Sequence, residues 1–296
     1  PRRWRHPGAG SRRPGRYLRA GNVARARYWN DEAIRLYGRA LECIGEGEIA
    51  TRIHLFHDLG SVYQLKGDYD LARRAFQRML RLAWMVASRP KAAVAFNKLG
   101  RLDRQRGDLQ SALAFFERGL ETFRRAGDER GVAGSLDDIA QVLWFLGRYD
   151  AALERGAAAL EMRRRLGDKH SVALSLLTIG HIERHRGLFD EADACYREAL
   201  TIRRDLGDKA GTAASLNGLG ALSFQRGDFD SAHACWEEAL ALAEEAGALP
   251  QVAIIEAHLG EIARESGNLV EARRRFERSE SAARDLGDKR LLAEAL

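Results

Sequence analysis

A pair of histidines is the arrangement in this 296-residue sequence that comes nearest to a metal site. His181 and His185 are four residues apart, so on a helix they share one face and can hold one ion. The nearby Glu183 points elsewhere around that helix, and His54 and His57 suggest the same chemistry more faintly. Because a zinc site needs three or four ligands, we expect solvated helix faces here and no metal.

The three cysteines form neither a C-x-x-C pair nor an even-numbered disulfide framework; they are Cys43, Cys195 and Cys235. Cys195 and Cys235 each precede a large aromatic residue, and we expect both to fill small spaces in a core rather than to act as nucleophiles. No hydrophobic signal segment leads the sequence, so the simple expectation is reduced cysteines and a cytoplasmic location.

Catalytic sequence motifs are missing. We find no phosphate-binding G-x-x-x-x-G-K-[ST] loop, no G-x-G-x-x-G, no G-x-S-x-G elbow and no H-E-x-x-H. The frequent Gly-Asp pairs are typical of turns, and paired carboxylates such as Glu237 and Glu238 lie beside arginines, as solvated surfaces do. We therefore expect no enzyme activity and no cofactor.

The charge is distributed unevenly along the chain. The formal net charge is +6, but residues 1–30 carry nine arginines and no acid, which leaves a slight acidic excess over residues 31–296. Glycines and the prolines Pro7 and Pro14 favour a disordered or non-native segment over residues 1–27. The alternative is a basic arm that attracts nucleic acid, which strong salt dependence lost on deleting residues 1–27 would support. The longest run without a charged residue, 210–225, is too short and too polar to cross a membrane.

The dominant feature of the sequence is an internal repeat of 40 residues. A Leu-Gly pair recurs at this interval, followed by a glycine, an alanine and then an aromatic residue. Gly156 is the one gap in the aromatic column. The columns of paired residues and aromatics are Leu59-Gly60, Leu99-Gly100, Ile139-Ala140, Ile179-Gly180, Leu219-Gly220 and Leu259-Gly260, with Phe76, Phe116, Tyr196, Trp236 and Phe276.

Each repeat predicts a helix, a turn and a second helix. In the repeat that begins near Gly211, apolar residues recur at helical spacing, Gly227 ends the first helix, and Asp228 or Asp230 caps the second. A partial unit at Asp31–Tyr37 matches a second helix with the register shifted by one residue, and residues 291–296 match the start of a further first helix. Because a stable array usually ends in a capping helix, we expect a fragment of a longer array.

These columns resemble the tetratricopeptide repeat over roughly residues 28–296, as six full units and a partial one. The matching residues of one unit are Leu219-Gly220, Gly227, Ala232, Trp236 and Ala239. The period exceeds the common 34 residues, as in the long-repeat subgroup of bacterial response regulators, kinesin light chains and polarity adaptors. The resemblance implies an all-α solenoid of αα-hairpins wound into a right-handed superhelix.

In the family that this sequence resembles, the first helices line a concave groove that binds partner segments. Carried onto this sequence, the groove alternates guanidinium groups with aromatic rings, which suits a peptide or protein segment with acidic and hydrophobic residues interleaved. The alternative is that long polar side chains simply solvate a helix face. The predicted groove residues are Asn97, Arg101, Arg104, Gln141, Trp144, His181, Arg184, Asn217, Phe224 and Arg264.

Two functions follow from the resemblance. The first is a non-catalytic scaffold that binds a protein or peptide in the groove. The second is a sensory or regulatory arm of a larger bacterial signalling protein, an ATPase, kinase or cyclase, because the segment Asn30–Tyr37 looks like the point where such arrays follow a signalling ATPase. The Lys and Asn clamp that some members use for a terminal carboxylate is absent, so chaperone-tail binding is not expected. Membrane binding is not expected, nucleic-acid binding is secondary, and self-association is open.

Overall fold

The computed structural model describes residues 14–286, and all of the regular structure in this range is α-helical. Fourteen helices follow one another through short turns. From α3 to α13, each odd-numbered helix starts 40 residues after the previous one. The helices are α1 Pro14–Ala26, α2 Asn30–Cys43, α3 Ile49–Leu65, α4 Tyr69–Met85, α5 Arg89–Gln105, α6 Leu109–Ala126, α7 Glu129–Phe145, α8 Tyr149–Arg165, α9 Lys169–His185, α10 Phe189–Asp205, α11 Lys209–Gln225, α12 Phe229–Glu245, α13 Leu249–Glu265 and α14 Leu269–Leu286.

The turns use the residues that the sequence predicts. Gly227 has a φ of 79°, the left-handed conformation that glycine adopts at helix ends without strain. The Asp228 carboxylate then accepts a hydrogen bond from the Ser231 backbone N–H at the start of α12. Equivalent aspartate caps begin α6, α7, α9 and α11.

Six of the seven described hairpins are closed by a glycine of the odd-numbered helix that faces an aromatic ring sixteen residues later. A Cβ atom at Gly60 would lie 2.5 Å from Phe76, and one at Gly220 would lie 2.5 Å from Trp236. These aromatic side chains are buried, so the missing Cβ lets the two helices approach closely. In the α7–α8 hairpin, Gly156 stands where the other hairpins have the aromatic ring. The space is filled by Ala140, which replaces the usual glycine, and by the Ile179 side chain.

The first hairpin differs from the sequence prediction. Residues 14–26, expected to be disordered or non-native, form α1, which packs on α2 as a complete seventh hairpin. Pro14 is the first residue of α1, where its missing N–H costs no hydrogen bond. A Cβ at Gly21 would lie 2.6 Å from the buried Tyr37, which repeats the glycine–aromatic contact. The expectations for residues 1–13 and 291–296 lie outside the described residues.

The hairpins stack into a curved, two-layered array. Each helix packs on the next along the chain, and each odd-numbered helix from α3 to α11 also packs directly on the next odd-numbered helix. Over the described range, no pair of successive even-numbered helices packs as closely. The odd-numbered helices therefore form the inner, concave layer, and the even-numbered helices form the outer layer.

Candidate peptide-binding groove

The concave layer is joined by side chains that reach from one odd-numbered helix to the next. Asn97 of α5 donates from Nδ2 to Oγ of the buried Ser135 on α7, at 2.9 Å. Arg101 binds the buried Asp138 with two nitrogens, Nε to Oδ1 at 3.0 Å and a terminal nitrogen to Oδ2 at 2.9 Å. The Asp138 charge raises the pKa of Arg101. Both residues predicted for ligand binding therefore also fix α5 against α7.

Arg104 lies one turn further along α5 and has a different environment. Its guanidinium donates to Oε1 of Gln141, and the Gln141 amide in turn donates to Asp137 Oδ2 at 3.1 Å. Within residues 14–286, no carboxylate forms an ion pair with Arg104. Burial lowers the pKa of Arg104, and repulsion from Arg101 acts in the same direction. Arg104 is therefore a desolvated cation that an incoming carboxylate would stabilise.

The Asp137 carboxylate under this row is itself buried. It lies 3.3 Å from the Arg163 guanidinium of α8 and accepts hydrogen bonds from Ser175 and Thr178 of α9. Burial raises the pKa of Asp137, an effect that the Arg163 charge opposes. This network connects α7, α8 and α9 beneath the groove.

Trp144 occupies the centre of the row on α7. Its ring stacks on His181 of α9 at a centroid distance of 5.8 Å and an interplanar angle of 12°, and it meets His185 edge-on at 5.1 Å. The His181 Nδ1 lies 2.8 Å from the Tyr196 hydroxyl. Burial lowers the pKa of His181 to about 4, so this imidazole is neutral at pH 7. Trp144 and the neutral His181 therefore form an uncharged aromatic platform.

Arg184 follows one turn after His181 and lies beside the Tyr196 hydroxyl, where it opposes the rise in the pKa of Tyr196 that burial causes. Its Nε is buried and has no hydrogen-bond partner, and a terminal nitrogen lies 3.3 Å from His185 Nε2. No carboxylate of the described chain forms an ion pair with it. A ligand carboxylate that reaches the terminal nitrogens of Arg184 would therefore supply the missing ion pair.

The remaining predicted residues lie on α11 and α13. Asn217 Oδ1 is 2.9 Å from His258 Nδ1, which joins these two helices. The Phe224 ring packs on Trp236 at 5.8 Å. Arg264 is exposed and donates to Glu261 at 2.7 Å and to Glu265 at 2.8 Å. The structure thus brings the predicted residues of α5, α7 and α9 into one connected row, and Arg264 stands at the far end with its donors already used.

A pocket of about 180 Å³ between α5 and α7 was not predicted from the sequence. Asn97, Lys98 and Arg101 line its polar side, and Val94 belongs to its apolar side. Gly134 leaves open space where a side chain would stand. Burial, followed by repulsion from Arg101, lowers the pKa of Lys98 to about 8. The signal was present in the sequence, because Gly134 lies within a helix on the same face as a predicted groove residue, but it was not used in the prediction.

Exposed apolar side chains on α7, α9 and α13 also went unnoticed. Phe145 ends α7 with 56% of its surface exposed, Leu174 lies on α9 with 41%, and Ile254 lies on α13 with 37%. Leu174 is seven residues before His181, so both lie on one face of α9. These side chains give the inner layer apolar anchor points beside the cations.

The histidine pairs do not form a metal centre in the part of the chain that the structure describes. No group of three His, Cys, Asp or Glu residues there is arranged to hold an ion. His57 Nδ1 instead lies 3.1 Å from Asp58. The three cysteines form no disulfide, and Cys195 and Cys235 pack against the core that contains Tyr196 and Trp236. Burial raises the pKa of Cys195 to about 11, which disfavours a thiolate nucleophile.

Comparison with protein-family models identifies the family of the repeats. A tetratricopeptide repeat model matches residues 48–125, 90–165, 131–205 and 171–245, and a second matches residues 217–287. The chain belongs to the tetratricopeptide repeat family. No curated protein sequence matches this tetratricopeptide repeat chain. Within the described residues, no helix combines the length and apolar character needed to cross a membrane.

Solved structures show the same fold at low identity. The apo form of RapI is 19% identical with a TM-score of 0.70, and the match covers 92% of this chain and 98% of that one. The Rap conjugation gene regulator of the plasmid pLS20, in complex with the Phr* peptide, is 18% identical with a TM-score of 0.70, covering 95% and 75%. A signal transduction ATPase with numerous domains from Pyrococcus horikoshii, which carries a tetratricopeptide repeat sensor, is 15% identical with a TM-score of 0.64, covering 94% and 44%.

Proposed function

We propose that this tetratricopeptide repeat protein is a non-catalytic scaffold that binds a peptide segment in its concave groove. One observation carries the proposal. Arg104 and Arg184, two guanidinium groups without a carboxylate partner in the described chain, flank Trp144 on three successive inner helices. Guanidinium groups with unused donors favour carboxylates, and a half-buried tryptophan is a common anchor in binding sites.

The expected ligand carries acidic residues interleaved with hydrophobic ones. Carboxylates would bind Arg104 and Arg184, and an apolar side chain between them would lie on Trp144. A further apolar side chain fits the pocket beside Gly134, where Lys98 on the rim favours a neighbouring carboxylate. Arg101 and Arg264 contribute less in this proposal, because their donors already bind Asp138 and Glu261. The pLS20 regulator, solved with a Phr* peptide on the same fold, supports a peptide as the ligand class.

The alternative function is a sensory or regulatory arm of a larger signalling protein, such as an ATPase, kinase or cyclase. The similarity to the repeat sensor of the Pyrococcus horikoshii signalling ATPase favours it, and this chain covers 44% of that protein. Sequencing the gene outward from both ends tests this alternative. A nucleotide-binding or kinase domain in the same reading frame would support it, and a frame that holds only further repeats would exclude it.

Selection and titration test the groove. Twelve-residue peptides selected from a random display library on the wild-type chain are labelled and titrated by fluorescence anisotropy. The test variant combines Arg104→Ala, Trp144→Ala and Arg184→Ala. The matched control combines Trp84→Ala, Arg124→Ala and Arg148→Ala, which removes the same residue types outside the inner layer. We expect the groove variant to lose at least 30-fold in affinity and the control to lose less than threefold.

A second variant separates shape from charge. Gly134→Leu fills the pocket beside Lys98 without changing the charge of the groove, and leucine is a good helix former. We expect weaker binding of peptides whose apolar residue enters this pocket. Equal affinity of the wild type and the Arg104, Trp144 and Arg184 variant for every selected peptide would refute the proposed function.

A further inference from the structure

The second hairpin carries an open pocket on α3 and α4. The connection from α2 to α3 spans residues 44–48, whereas the turns after α3 and α4 span only three residues each. α2 also packs on α3 less extensively than the corresponding helices of later repeats. The pocket has a volume of about 460 Å³. Its apolar side is formed by Phe56, Leu59 and Tyr63 of α3 and by Leu71 of α4.

Three arginines form the polar side of this pocket. Arg74, Arg78 and Arg81 of α4 are spaced i, i+4 and i+7, so they lie along one face of the helix. All three are exposed, and none forms an ion pair with any residue in the range 14–286. The Arg78 guanidinium lies 5.7 Å from the centre of the Phe56 ring, which places it over the apolar side.

Arg78 lacks the ion pair that three later hairpins form at the corresponding position, and Arg118 of α6, which lies over the Phe96 ring, has none within residues 14–286 either. The residues that correspond to Arg78 in α10, α12 and α14 each bind an opposite charge 34 positions earlier. The residue 34 positions before Arg78 is Ile44, which is buried and uncharged, and Gly45 follows it. The intramolecular partner is therefore missing. The three pairs are Arg164–Glu198, Arg204–Glu238 and Glu244–Arg278.

We propose that this surface, formed by Phe56, Tyr63 and Leu71 with Arg74, Arg78 and Arg81, docks an acidic amphipathic helix of a partner protein. Glutamates or aspartates spaced i, i+4 and i+7 on the partner match the arginine spacing, and its apolar stripe enters the pocket. An apolar cavity between the cations suits side chains better than phosphates. This surface shares no residue with the proposed peptide-binding groove, so the inference does not rest on the proposed function.

A second copy of this chain fits the surface less well than such a partner. The helix with the most acidic outer surface is α12, and four of its five carboxylates are already used. The four glutamates are bound in the pairs Glu237–Arg275, Glu238–Arg204, Glu244–Arg278 and Glu245–Lys209. Self-association through α4 would have to break these pairs, so we assign the surface to a different protein.

The test uses a designed probe. A labelled sixteen-residue helix-forming peptide carries three glutamates spaced i, i+4 and i+7 beside a stripe of leucines, and its control carries lysines in place of the glutamates. We expect binding of the acidic peptide at least tenfold tighter than that of the lysine peptide, and this preference should weaken as salt screens the charges. Combining Arg74→Glu, Arg78→Glu and Arg81→Glu should reduce affinity for the acidic peptide at least tenfold.

Two further variants complete the test. Arg124→Glu, Arg130→Glu and Arg148→Glu together change the net charge equally at exposed arginines elsewhere, and should leave affinity within threefold. Leu71→Ser removes an apolar contact without changing charge and should weaken binding. Equal binding of the two peptides, or an effect of the control variant as large as that of the α4 variant, would overturn the inference. Tighter binding of a DNA duplex than of the acidic peptide, or an arginine-dependent dimer in sedimentation, would also overturn it.

Discussion

Replacing Gly180 by alanine tests the glycine–aromatic contact that closes six of the seven described hairpins. The new Cβ would lie 2.6 Å from Cε1 of Tyr196, whereas carbon atoms pack at roughly 3.5–4.0 Å, so the ring must move by about 1 Å. The ring cannot move freely, because a Cβ at Gly218 of α11 would lie 2.8 Å from the same atom. Its hydroxyl is also held 2.8 Å from His181.

The magnitude follows from three terms. Overpacking a well-packed core costs about 1–3 kcal/mol. Losing the hydrogen bond between Tyr196 and His181 costs about 1 kcal/mol, and alanine regains about 1 kcal/mol over glycine within a helix. We therefore expect Gly180→Ala to lower the free energy of unfolding by about 1–3 kcal/mol. Urea unfolding followed by circular dichroism at 222 nm measures this change.

Gly38→Ala is the matched control. Gly38 lies within α2, and a Cβ there would meet nothing within 4 Å, so we expect a gain of about 0.5–1 kcal/mol. In a Tyr196→Leu background the ring is gone, and Gly180→Ala should lose most of its cost. If Gly180→Ala is as stabilising as Gly38→Ala, the packing argument is wrong.

Three further predictions concern buried charges and caps. Burial holds the pKa values of His181 and His258 near 4, below the ordinary value of about 6.5. Stability should therefore be constant well above pH 6.5 and fall as the pH drops through 6.5 towards 4, by about 1.4 kcal/mol per histidine at pH 5.5. Replacing both histidines by glutamine should flatten this profile in thermal melts. Arg163→Leu should cost about 3–5 kcal/mol in urea unfolding, because the Asp137 carboxylate stays buried without its cation, and adding Asp137→Leu should recover most of that loss. Asp128→Ala should lower the stability by about 1 kcal/mol by removing the α7 cap, and a melt no lower than the wild type would contradict the capping role.

The fold was predictable because the residues that pack the two helices of a hairpin together recur from repeat to repeat. A glycine that allows close approach stands sixteen residues before an aromatic ring, and this pair recurs every 40 residues. The first hairpin was missed because Pro14 suggested a break and its register is shifted by one residue. Its own signal was present in the sixteen-residue spacing of Gly21 and Tyr37.

The groove was predictable as a face of the helices, but its chemistry was not. Helical periodicity places Arg101 and Arg104 on the same surface of α5, yet only the fold shows that Asp138 already binds Arg101. Such partners lie 37 residues apart, which is one repeat less about one helical turn. Side chains of successive inner helices meet at this offset, and a single repeat does not reveal it.

Photo-crosslinking tests the central claim, a peptide bound on the inner layer, most directly. Benzoylphenylalanine is placed at position 174, the exposed Leu174 site on the same face of α9 as His181, or at position 269, the exposed Leu269 site on outer helix α14. We predict that a selected peptide crosslinks at position 174, that excess unlabelled peptide suppresses this product, and that position 269 gives little. Equal crosslinking at both positions, or crosslinking at position 269 alone, would contradict binding in the groove.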